Sequence, residues 1–111
     1  DILSFDAYGF FDRLALYEES LKTFFNQGRI LAWGIVPTSD SNEIEKESAS
    51  SLTAKWEAHA DRLESMGIER TKILTQSLIT PSCGTGSLTP DKAIKVLEMT
   101  RGVSQTLRHQ T

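Results

Sequence analysis

Three consecutive strand–helix units with parallel strands are expected from this 111-residue sequence, which places it in the α/β class. Two patterns carry that expectation. Three short apolar runs alternate with three helical patterns, and the middle run, Ile30 to Val36, is apolar throughout instead of alternating. Continuous apolarity suits a strand covered on both faces, as in a parallel sheet. The order βαβαβα then implies crossover connections of one hand.

The first run, Ile2-Leu3-Ser4-Phe5, enters at once as a strand. A helical region follows from about Phe11 to Asn26, with Leu14, Leu21, Phe24 and Phe25 at helical spacings. Glu18, Glu19 and Lys22 face outward, and Gly28 supplies a left-handed end. After the second strand, a region from about Asn42 to Met66 steps through Leu52, Trp56, Ala60 and Leu63 and stops at Gly67. The third strand is expected over Ile73 to Ile79. The last helix opens at Thr89-Pro90-Asp91, which supplies a cap, a proline with preset φ and an acid at the positive helix end. Ala93, Val96, Leu97, Thr100, Val103 and Leu107 give it one buried face.

Composition bounds the function. Apolar content of 39% and charged content of 24% are globular values. A net charge of −3 with no basic run argues against nucleic acid as a partner. No apolar stretch approaches the roughly 18 residues of a membrane span, and no signal peptide is evident. One cysteine forms no internal disulfide, so a cytoplasmic setting is the default. Residues 1–111 read as one domain without linker or repeat. The abrupt apolar start reads as cut from something larger, whereas the polar run from Thr106 to Thr111 reads as a true terminus. Three strands alone leave two bare edges, so either another copy pairs with them or a larger parent supplies the missing strands. The parent expected is a (β/α)8 barrel, of which this chain is the closing part.

In such barrels chemistry sits where strands meet the following loops. Asp6 stands at the mouth of the first strand, Pro37 to Asp40 at the second and Pro81 to Ser87 at the third. Cys83, flanked by Pro81 and Gly84, has the soft donor that a metal or an electrophile takes. Each has a plainer reading. Free cysteine is commonly buried core, Asp6 fits a capping acid, and Trp33 and Trp56 fit the core. His59 reads as a partly exposed surface histidine, and His109 as a complement to the negative helix end. Gly84-Thr85-Gly86 before a helix is a weak anion cradle.

Pro81-Ser82-Cys83-Gly84 resembles the Pro-x-Cys-Gly segment of cobalamin-independent methionine synthases, which carries a zinc-binding cysteine on a late barrel strand. Ile2-Leu3-Ser4-Phe5-Asp6 is similar to that family's strand ending in a glutamate near zinc. Trp33-Gly34-Ile35-Val36-Pro37-Thr38 resembles a branch of the wider group that also holds uroporphyrinogen decarboxylases and corrinoid methyltransferases. The resemblance covers essentially the whole chain. It implies a zinc-dependent methyltransferase, with methylfolate or a methyl-corrinoid as donor and a thiol such as homocysteine as acceptor. It implies Cys83 and Asp6 as metal ligands, with Trp33, Pro37, Thr38, Gly84 and Thr85 at the substrate. This chain by itself would then be inactive. The sequence departs from the pattern in lacking a His-x-Cys pair, in Asp6 for glutamate, and in Thr85-Gly86 after Gly84. The alternatives are a metal-free barrel end like that of uroporphyrinogen decarboxylases, with Asp6 toward pyrrole nitrogens, and a non-catalytic α/β module that associates with itself. Either edge pairing or self-association makes a homo-oligomer the expected state.

Overall fold

A computed structural model describes residues 2–84 and 88–110. Its element order is β1 (Ile2–Phe5), α1 (Ala7–Leu14), α2 (Glu18–Asn26), β2 (Ile30–Val36), α3 (Ser41–Lys46), α4 (Ala49–Ser65), α5 (Arg70–Thr75), β3 (Ser77–Pro81) and α6 (Pro90–Arg108). The strands form one sheet in the order β1-β2-β3, and both pairings are parallel. The α/β class and the three expected strands are present, with helices between them.

The register explains the two faces. Phe5, Trp33 and Ile79 are aligned across the sheet, and their side chains share the face on which the helices pack. There Trp33 meets Phe5, Phe11 of α1 and Trp56 of α4, with ring centroids 5.4, 5.7 and 5.5 Å apart. Its indole nitrogen donates to Ser77 Oγ on β3 at 2.9 Å, so a buried polar atom is satisfied. The opposite face carries Ser4, Ala32 and Leu78 in one row. Ser4 and Leu78 on that row are exposed. Grooves lie along both outer edges, a mixed one at β3 and an apolar one at β1. One, about 440 Å³, includes Leu74, Leu78, Ile79 and Leu107; the other, about 240 Å³, includes Leu3, Leu14, Tyr17 and Phe24.

The helices differ from expectation in their breaks. The first expected helix is two. Asp6 starts α1 four residues early, because its carboxylate accepts from the backbone N–H of Tyr8 and Gly9 at 3.1 and 3.2 Å. The chain then turns at Ala15 to Tyr17 before α2. The second region is also two, because Ser48 and Ser51 form a reciprocal capping box that starts α4 afresh. The third strand begins at Ser77 rather than Ile73. Residues Arg70–Thr75 are helical, and this turn aims Ile73 fully into the core.

Other expectations hold. Gly28 and Gly67 have φ of 74° and 99° at helix ends, a conformation that costs a side chain bearing Cβ but not glycine. Thr89 caps α6 and Pro90 opens it. Val96, Val103 and Leu107 of α6 are buried, but Leu97 is 55% exposed. Gly102 lets α6 approach α4 closely, since a Cβ there would lie 2.7 Å from Ala49 Cβ.

Trp33 is wholly buried at the junction of β1, α1, β2 and α4, so its truncation leaves a void that no neighbour fills. Trp33→Ala is expected to cost about 3–5 kcal/mol in urea unfolding, whereas Leu16→Ala, at an 80% exposed position, changes stability by less than about 0.5 kcal/mol.

Candidate functional site

The three strand ends come together because the strands are parallel. Asp6 follows β1, Pro37 and Thr38 follow β2, and Ser82 and Cys83 follow β3. All therefore lie at the carboxyl edge of the sheet. A local irregularity draws the last two together. β2 carries one extra residue, Ile35, between the pairs Gly34↔Thr80 and Val36↔Pro81, as in a bulge. Beyond it, Ser82 N–H donates to Val36 O at 2.8 Å and extends the pairing. Gly34 makes this possible. A Cβ at that position would lie 2.8 Å from Phe5 O and 3.0 Å from Ser82 Cα, so any side chain would push β1 and the end of β3 away.

The result is a thiol held by hydroxyls. Thr38 Oγ1 is 2.8 Å from Cys83 Sγ and 3.0 Å from Ser82 Oγ, and Ser39 Oγ is 3.8 Å from the sulfur. Cys83 is exposed, while Thr38 is buried at 4%. A threonine hydroxyl has one proton to give. If it goes to the sulfur, Ser82 must be the donor to Thr38, and the three form a relay that ends on Cys83. Accordingly the Thr38 hydroxyl, aided by Ser39 and Ser82, lowers the thiol's pKa below its ordinary value; slight burial and the negative charge of Asp6 oppose it. A thiol so placed is both reachable and richer in thiolate than a free cysteine.

The other residues singled out from the sequence lie as follows. Pro37 is buried beside Thr38. Gly84 is exposed next to Cys83, and Thr85 is outside the described residues. Trp33 lies on the helix-covered face, away from the strand-end cluster, in the packing described above. Asp6 faces the cluster closely enough for its charge to act on Cys83, yet one carboxylate oxygen is committed to the α1 cap. Among the described residues no three His, Cys, Asp or Glu side chains group in a way that would hold a metal. Cys83 and the free oxygen of Asp6 therefore make two donors where zinc takes about four.

Two features escaped the sequence reading. Tyr8 donates to Glu47 Oε2 at 2.7 Å, with Lys55 Nζ 4.2 Å from the centre of the Tyr8 ring. Burial and the Glu47 contact push the Tyr8 phenol up, so it stays a donor. Burial would raise the Glu47 carboxyl, but hydrogen bonds from Ser51 and Tyr8 and the nearby Lys55 hold it below its usual range. This cluster ties the start of α1, and thus Asp6, to the start of α4. His59 is the second: it keeps the partial exposure expected of it, but its ring stacks on Phe11 of α1 and its Nε2 is buried. Neither contact has a short-range signal; only the fold brings residues 8 and 47, or 11 and 59, together.

No protein-family model matches the chain, and no curated protein or solved structure is significantly similar to it. The class that the geometry defines is an α/β protein with a three-stranded parallel sheet. No helix among the described residues is long and apolar enough to cross a membrane.

Thr38→Val removes the donor while keeping the shape. The pH at which Cys83 becomes half-maximally reactive toward iodoacetamide is expected to rise, and Thr38→Ser to restore it. Gly34→Ala is expected to move it the same way as Thr38→Val, because the backbone of Pro81 and Ser82 must shift. An unchanged reactivity profile in both variants would show that the hydroxyl contact does not set the thiol's acidity.

Proposed function

We propose that this chain forms the closing βα units of a (β/α)8 barrel that methylates a thiol with the help of zinc, similar to cobalamin-independent methionine synthase. The observation that carries this reading is the exposed, acidified thiol of Cys83 at the carboxyl edge of a parallel sheet, with Asp6 across from it. Zinc bound there would hold the acceptor thiol as a thiolate at neutral pH, ready to attack the methyl donor.

The chain's own residues prepare the place. Thr38 and Ser82 stabilise Cys83 as an anion, the form in which sulfur ligates a soft cation. Cap hydrogen bonds from Tyr8 and Gly9 fix the Asp6 carboxylate and leave one oxygen for the cluster. Tyr8 and Glu47 brace that turn against α4. The remaining ligands come from other barrel strands, and methylfolate or a corrinoid approaches over the same edge. Exposed Ile2 and Leu3 on β1 and Leu78 on β3 are then the seams at which those strands join. The residues of the cluster do not favour the metal-free decarboxylase alternative, which gives Cys83 and its hydroxyls no task.

Cys83→Ser in the complete barrel is expected to lose bound zinc and thiol methylation while the circular dichroism spectrum is retained. A variant that keeps a full equivalent of zinc and normal turnover would sink this reading. The 111-residue chain alone has the same open seams, and it is expected to sediment as a dimer or larger at micromolar concentration, with copies pairing edge to edge. A stable monomer would mean that the seams tolerate water.

A further inference from the structure

His59 lies in mid-α4 and takes no part in the strand-end cluster. Its ring stacks on Phe11 of α1 with centroids 4.0 Å apart and planes inclined by 14°. It is also nearly parallel to Trp33, at 6.4 Å and 10°. Nε2 is buried and has no hydrogen-bond partner, while the backbone of Ala7 engages the ring. A neutral imidazole is tolerable in this position, because it leaves only one lone pair unmet. An imidazolium is not, because it brings a charge and a second N–H at Nε2, which is buried beside aromatic rings with no acceptor of its own.

The charges that face the ring mostly oppose a proton. Lys55 and Arg62 do so from α4 itself, and Arg62 also sits over the Phe11 ring at 5.5 Å. From α1 comes one opposing influence, Asp12, together with the Ala7 backbone; from β2 the ring meets only Trp33. Burial first and Lys55 second lower the His59 pKa to about 4 from an ordinary 6.5.

We propose that His59 is an acid-sensitive latch whose neutral ring fastens the first turns of α1 to α4, and whose protonation releases them. Because α1 begins at the Asp6 cap, release of its first turns frees one wall of the strand-end cluster. The latch does not depend on the methyltransfer reading. The sign follows from linkage: the unfolded chain takes up this proton more readily than the folded one. His59 therefore contributes its full stabilisation above about pH 6.5, and that contribution is lost as the pH falls toward 4.

The test is an NMR titration of the His59 Cε1–H signal in the wild-type chain, combined with urea unfolding of wild type and His59→Phe. Half-titration near pH 4, with the Ala7 and Phe11 signals moving in step, is the expected result. The phenylalanine keeps the stacked ring but has nothing to protonate. Its urea midpoint is therefore expected to fall less than that of wild type between pH 6.5 and 4. Titration of His59 near 6.5, or equal midpoint losses in the two proteins, would overturn the proposal. If His59→Phe does not fold, the wild-type titration decides alone: movement of Ala7 and Phe11 with the imidazole supports the latch, and their indifference overturns it.

Discussion

Everything in this fold leans on Trp33. It stands at the middle of the central strand, and its ring is where β1, α1, β2 and α4 meet, through Phe5, Phe11 and Trp56. A single large ring can do this because its faces and edge each accept an aromatic neighbour in offset or tilted geometry. The indole N–H would be a liability in such a place, and Ser77 of β3 removes it. One side chain thus ties all three strands and two helices, and the parallel register follows from that shared anchor. Without a fixed register the strand ends would not line up, and there would be no common edge on which to gather Asp6, Thr38 and Cys83.

The opposite surface of the same strand works by absence. Gly34 has no side chain, and the backbones of Phe5 and Ser82 occupy the room a Cβ would need. The extra residue Ile35 then offsets the end of β2 against β3, which brings Thr38 under the sulfur of Cys83. Bulk at Trp33 and emptiness at Gly34 are adjacent in sequence and opposite in the sheet, since neighbouring residues of a strand face opposite ways. Stability is built on the helix-covered face and chemistry at the carboxyl edge. The two are coupled through the strand they share, through β3, which runs from Ser77 at the Trp33 indole toward Cys83, and through α1, which is held by the Tyr8–Glu47 contact on one side and His59 on the other.

The strands and the ends of the helices were legible because their causes are local. An unbroken apolar run means a strand buried on both sides, and Thr89-Pro90 means a helix start, whatever the rest of the chain does. The breaks within helices were less legible. Asp6 and the Ser48–Ser51 box are also local signals, but each competes with an apolar spacing that reads straight through it, and the caps win because an uncapped first turn leaves its N–H groups unpaired. Ile73 misled for a different reason. A short apolar pair serves a strand or a helical turn equally well, and only the position of the core decides which one buries it.

For the site, residue types were visible and their relations were not. That Asp6, Thr38 and Cys83 all fall just after strands follows from the sequence alone, because strand limits and loop composition are short-range properties. It also fixes which of them carry a thiol, a hydroxyl or a carboxylate. That Cys83 is exposed and not core, that Thr38 is buried and aimed at it, and that the His59 ring stacks on Phe11 of α1 were decided by the tertiary structure. Those facts depend on pairs between 45 and 48 residues apart, set by register, by one bulge and by the packing of α1 on α4. Such contacts arise from the sum of the fold's packing energies, and no stretch of sequence around either partner contains them.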